Sequence, residues 1–100
     1  MDIDFILDGG EGFQWDKGNG LKNWLKHGVG REEAEGVFSN EPLLLFEDEK
    51  HSQHEDRVIA FGHTNEGRCL VVAFTVRKNL IRIISARSMN KRERDVYEKT

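Results

Sequence analysis

The stretch "CLVVAFTVRKNLIRIISAR", residues 69–87, decides the fold. From Cys69 to Val76 the chain is apolar on both sides of a two-residue period. Such a run marks a central strand covered on both faces, or covered on one and paired at an interface. Arg77, Lys78 and Asn79 then turn the chain, and residues 80–87 resume as a second strand. Just upstream, "TNEG" at 64–67 is a hairpin turn closed by Gly67, and residues 57–64 before it form a third strand. Three strands joined by short turns make an antiparallel meander.

Working outward, the N-terminal half reads as short strands and helices. Residues 3–7 suit a short strand, and "FQWD" at 13–16 places Phe13 and Trp15 on one face with Asp16 as a helix N-cap. Leu21, Trp24 and Leu25 stand at i, i+3, i+4 and predict the buried stripe of a helix, with both Trp15 and Trp24 buried. Lys26 and His27 suit its C-terminal dipole, and Gly28 ends it in the left-handed conformation. A second helix spans about Arg31 to Phe38, with acids at its start and Ala34, Val37 and Phe38 facing inward. After Pro42, "LLLF" at 43–46 is a strand, and "EDEKHSQHED" at 47–56 is a polar loop. A final helix opens after Asn90, whose spacing to Glu93 is that of a capping box, with Val96 as an apolar anchor.

The 100 residues suit a single domain spanning 1–100 with one modest core. No run approaches the ~20 apolar residues of a membrane span. The opening "MDIDFILDGG" has acids and no basic region, which reads against a secretory signal. A single cysteine, Cys69, fits a reducing cytoplasm and a buried, inert thiol. His51-x-x-His54 with His63 and Cys69 lacks the ligand spacing of a closed zinc site, so no metal or other cofactor is expected. Charge is unevenly spread over a chain of net charge −3. Residues 77–94 hold seven basic groups and one acid, whereas residues 1–76 hold seven basic groups and fifteen acids. A basic segment on an acidic body is the footprint of a polyanion partner.

The signatures "FQWD" (13–16), "KHGV" (26–29), "HSQHEDR" (51–57), "GRCLVVAFT" (67–75), "RIISAR" (82–87) and "KRERDVYE" (91–98) together resemble the BrnT ribonuclease toxins of type II toxin–antitoxin systems, in the RelE-like superfamily. The resemblance implies an α+β, RelE-like two-layer fold: an antiparallel β-sheet with the N-terminal helices on one face and a short C-terminal helix. It implies a cytoplasmic endoribonuclease that inhibits translation and growth, cleaves RNA without a metal, and is neutralised by a BrnA-like antitoxin. DNA would be contacted only through that antitoxin.

Such cleavage needs a base for the 2′-hydroxyl, cations for the phosphorane and an acid for the leaving oxygen. Arginine suits the middle role, since its fork grips phosphate oxygens and keeps its charge. Mapped by the resemblance, Arg57, Arg68, Arg87 and Arg92 are the phosphate candidates. Arg57 and Arg68 flank one hairpin and so are expected near each other, while Arg82 and Arg87, an odd number apart, are expected on opposite faces of their strand. His51 is a candidate acid or base. Tyr97 is either a base-stacking or acid residue or a half-buried helix anchor. His27, Arg77, Arg82 and Lys91 complete the RNA-binding candidates. A different reading of the same residues is a non-catalytic RNA- or protein-binding module that uses its basic face for docking.

Overall fold

The computed structural model describes residues 12–51 and 55–100; the strand expected at 3–7 lies outside them. The elements are β1 (Phe13–Trp15), α1 (Asn19–His27), α2 (Arg31–Gly36) running into a 3-10 turn (Val37–Ser39), β2 (Leu44–Glu47), β3 (Val58–His63), β4 (Cys69–Arg77), β5 (Leu80–Ser88) and α3 (Lys91–Glu98). The fold is α+β, with one five-stranded sheet in the order β1-β5-β4-β3-β2. β3, β4 and β5 form the expected meander and β2 extends it antiparallel to β3, but β1 joins β5 in parallel, pairing Phe13 with Ile81 and Trp15 with Ile83. The sheet is therefore mixed. A three-residue strand 68 positions upstream of its partner leaves no local signal of its direction.

The apolar run at 69–76 does become the central strand. Residues Leu70 to Thr75 of β4 are buried in succession. Leu70, Val72 and Phe74 face one side, where they meet Val58, Ala60, Ile81, Ile83 and Ala86 from neighbouring strands. The α2 segment packs onto this side with Ala34, Val37 and Phe38, and the Phe38 ring meets Phe74 edge-on at 5.1 Å. Gly62 permits the approach, because a Cβ there would lie 2.9 Å from Val37 Cβ. On the opposite side Val71, Met89 and Tyr97 form a smaller cluster under α3, with Cys69 half-buried at its margin rather than in the main core. The β4–β5 turn is tight because Lys78 and Asn79 both take positive φ, 52° and 64°.

The first helix departs from expectation. Its cap is Gly18 at φ 80°, not Asp16, whose carboxylate instead pairs with Arg82. Gly28 stops the helix as expected, at φ 64° with its N–H on Trp24 O. The stripe expected to be buried faces solvent: Leu21 is 62% exposed, Trp24 53% and Leu25 74%. The buried side chain is Asn23. Its Oδ1 accepts from Ala86 N at 2.9 Å, and its Nδ2 donates to Ala86 O at 2.9 Å and Val29 O at 3.2 Å. Asn19, one turn earlier, donates to Ile84 O at 2.9 Å. The bonds to Ile84 and Ala86 fall on β5 where β1 has ended, so two amide side chains complete the edge that a strand would otherwise pair. α1 is an edge seal, and of these two helices α2 is the one that lies across a sheet face.

At the other end, Asn90 and Glu93 cap α3 reciprocally, as their spacing indicated. The anchor of α3 is Tyr97, at 6% exposure, and not Val96, at 50%.

Candidate nucleic-acid interface

Among the described residues, the side of the sheet away from α2 is covered in part, by α3. On it lies a groove of about 480 Å³. Phe46, Ile59, Phe61 and Val71 make its floor, and Arg87, Arg92, Glu93 and Val96 make its rim. Phe46 and Phe61 stand edge to face at 5.0 Å.

A bulge brings the arginines to this side. Ala73 pairs with Ser85 but Phe74 pairs with Ile83, so β5 carries one extra residue. Alternation then slips by one. Val71 opposes Arg87 and Thr75 opposes Arg82, and Val71 and Thr75 share a face. Arg82 and Arg87 therefore lie on the same open face, not on opposite faces.

Arg87 is tightly oriented. Its two terminal nitrogens donate to the two Glu93 oxygens, both at 2.8 Å. These hydrogen bonds hold Glu93 below the ordinary carboxylate range and raise Arg87 further. Glu93 Oε1 also accepts from Asn90 N at 2.8 Å, so the capping box fixes the carboxylate that aims the guanidinium. Glu93 was legible only as a cap; its contact with Arg87 depends on how α3 folds back over β5. Arg92, exposed, shares the rim. Arg94 instead donates to Met89 O at 3.0 Å.

A second polar group sits farther along the open face. Arg57 precedes β3, one residue past the Val58–Phe74 pair, and its Nε is 3.8 Å from Asp48 Oδ2. Asp48 also holds His51, whose Nδ1 lies 2.9 Å from the same oxygen. Arg77 and Arg82 meet at Glu55, Arg77 Nε donating at 3.0 Å and Arg82 standing 4.0 Å away. From Arg57 to the level of Phe61, opposite Val71 and Arg87, is four residues, about 13 Å along the strand.

The remaining candidates are dispersed. Arg68 immediately precedes β4, so it lies at the turn end of the hairpin while Arg57 lies at the open end; the two are not neighbours. Arg68 donates to Gly28 O and Glu33 Oε2, each at 2.9 Å, and to Ser88 Oγ at 3.1 Å, tying together three segments. His27 ends α1 at the sheet edge, and Lys91 is exposed at the start of α3. Tyr97 Oη donates to Pro42 O at 2.5 Å, so His63 Nδ1, 2.8 Å away, must donate to the phenol oxygen. Burial raises the Tyr97 pKa. His54 lies outside the described residues.

An acidic chain with a half-covered sheet face, floored by aromatics and rimmed by arginine, has the build of a small polyanion-binding protein. Its family is more specific. The model of the ribonuclease toxin BrnT of type II toxin–antitoxin systems matches residues 15–93, and the chain belongs to that family. Among solved structures, the Brucella abortus ribonuclease toxin BrnT superimposes with a TM-score of 0.60 at 23% identity, covering 80% of this chain and 97% of that one. At that identity the likeness carries the fold. No curated protein matches in sequence. As a toxin of this class the protein has an antitoxin partner and an RNA substrate. Among the described residues, no helix is long and apolar enough to cross a membrane.

Proposed function

We propose that this toxin is an endoribonuclease that cuts RNA without a metal and so inhibits translation and growth, with the groove beside Arg87 and Arg92 as its cleavage centre. The observation that carries this reading is the pair of guanidinium groups at the rim of an apolar, aromatic-floored groove. A strand laid across the open face puts a base against Phe46 and Phe61 and its phosphate against Arg87 and Arg92. The 2′-hydroxyl gives up its proton to solvent as its oxygen attacks the adjacent phosphorus, the bond from phosphorus to the 5′-oxygen breaks as that oxygen takes a proton from solvent, and the two arginines stabilise the charge that gathers between. Arg57 and Arg82, with His51, grip the flanking backbone. Tyr97 acts as the helix anchor, since its proton is committed to Pro42. Arg68, bonded to three segments, acts as a staple. A BrnA-like antitoxin neutralises the toxin by covering the arginine wall, and DNA is reached only through it. The site of action is the cytoplasm.

The test is incubation of the purified chain with RNA, with and without EDTA. Cleavage that survives EDTA is expected. Binding with intact RNA would favour the non-catalytic module. Arg87→Ala should slow cleavage by roughly 10²-fold while the protein stays folded. Arg94→Ala should change little. Three or four phosphate contacts give a log–log salt slope of about −2 to −3 on single strands.

A further inference from the structure

The apolar stripe of α1 has no role in the core and none in the groove. Five large hydrophobic residues are exposed among the described residues, and three of them, Leu21, Trp24 and Leu25, share this nine-residue helix. The other two, Phe46 and Val96, line the groove. At 100° per residue, Leu21 and Leu25 point straight away from buried Asn23, with Trp24 on one flank and Lys22 and Lys26 on the other. Residues 17–27 hold three lysines and no acid, within a half of the chain where acids outnumber bases two to one.

We propose that this stripe is the docking site of an amphipathic helix of the antitoxin, one with an apolar seam edged by aspartate or glutamate. The proposal rests on the family's toxin–antitoxin character and adds a surface separate from the RNA groove. Leu21, Trp24 and Leu25 give the i, i+3, i+4 anchors by which one helix grips another, with a tryptophan among them. Lys22 and Lys26, one turn apart on the flank, complement carboxylates at the same spacing on the partner. A second copy of this chain fits poorly, because a two-fold contact sets the same patch against itself and opposes lysine with lysine. RNA fits poorly as well, because two leucines occupy the centre of the patch, where neither stacking nor phosphate pairing is available.

The experiment titrates the purified antitoxin of the same pair into the full chain by calorimetry, with RNA cleavage measured on the same preparations. Leu25→Glu, at a position 74% exposed, should leave cleavage unchanged and weaken antitoxin binding by about 100-fold or more. Lys22→Glu with Lys26→Glu should weaken it by about 10-fold and flatten its dependence on salt. Tryptophan emission should shift to the blue on binding in the parent, and the shift should be lost in Trp24→Phe. Parent-like affinity in Leu25→Glu overturns the proposal, as does failure of the parent to bind the antitoxin. A parent that is a dimer by sedimentation, with Leu25→Glu a monomer, assigns the stripe to a second copy. A red shift of Trp24 emission on removal of residues 1–11 assigns it to the chain's own N-terminus. Selective loss of RNA binding in Leu25→Glu assigns it to RNA. A chain that fails to cleave RNA, yet loses antitoxin binding in Leu25→Glu, refutes the ribonuclease reading and leaves this one standing.

Discussion

The helices α1 and α2 are consecutive, short and similarly patterned, yet they present their apolar stripes in opposite directions. Ala34 of α2, with Val37 and Phe38 of its 3-10 extension, turns inward and is buried. Leu21, Trp24 and Leu25 of α1 turn outward. The difference is positional. α2 lies over a sheet face, where neighbours have satisfied the backbone and only apolar area remains to be covered. α1 lies along a sheet edge, where unpaired N–H and C=O groups demand polar partners, and Asn19 and Asn23 supply them. Periodicity locates the apolar side of a helix; what that side meets depends on whether the helix covers a face or closes an edge.

The contrast can be broken by substitution. Phe38→Ala removes a ring packed on Phe74 and Phe13 and should cost about 3–5 kcal/mol in denaturant unfolding. Asn23→Ala strands the Ala86 backbone groups and should cost about 2–3 kcal/mol, although an exposed helical asparagine would be nearly indifferent to the change. A smaller effect should appear only as a pH dependence. The Gly30 N–H, and then Arg68, hold Glu33 of α2 below its ordinary range. The stability this contributes is present above the unfolded glutamate value, about 4.3, and is lost as pH falls through the lower folded value. Glu33→Gln should therefore remove part of the acid-limb destabilisation that the parent shows, whereas α1 has no carboxylate to titrate. The smallest effect is expected for Trp24→Ala, within about 0.5 kcal/mol of the parent. A cost comparable to that of Phe38→Ala would mean that α1 turns its stripe inward after all.

What was legible in the chain was local. The β4 core run, the Lys78–Asn79 turn, the Gly28 stop and the Asn90–Glu93 cap each follow from a few adjacent residues, and each stands where the sequence indicated. What was not legible required knowledge of distant neighbours. The parallel pairing of β1, the polar inward side of α1 and the contact between Arg87 and Glu93 depend on which elements meet. The candidate site divides in the same way. Arg87 and Arg92 adjoin through the strand–helix junction and come together as their sequence proximity suggests. Arg57 and Arg68 separate because the starts of two antiparallel strands are at opposite ends of a hairpin.

The extra residue in β5 acts as a phase shifter. Without it, the side chains after the bulge would exchange faces: Arg87 would turn toward α2 and Ala86 toward the groove. Arg87 thus reaches the groove rim only in company with a defect several residues earlier. The face that Arg87 takes therefore depends on the number of residues between it and Ile83 rather than on which residues they are. Substitutions in this stretch can be graded in their effect. A one-residue deletion would move a charge from the open face into the core in a single step.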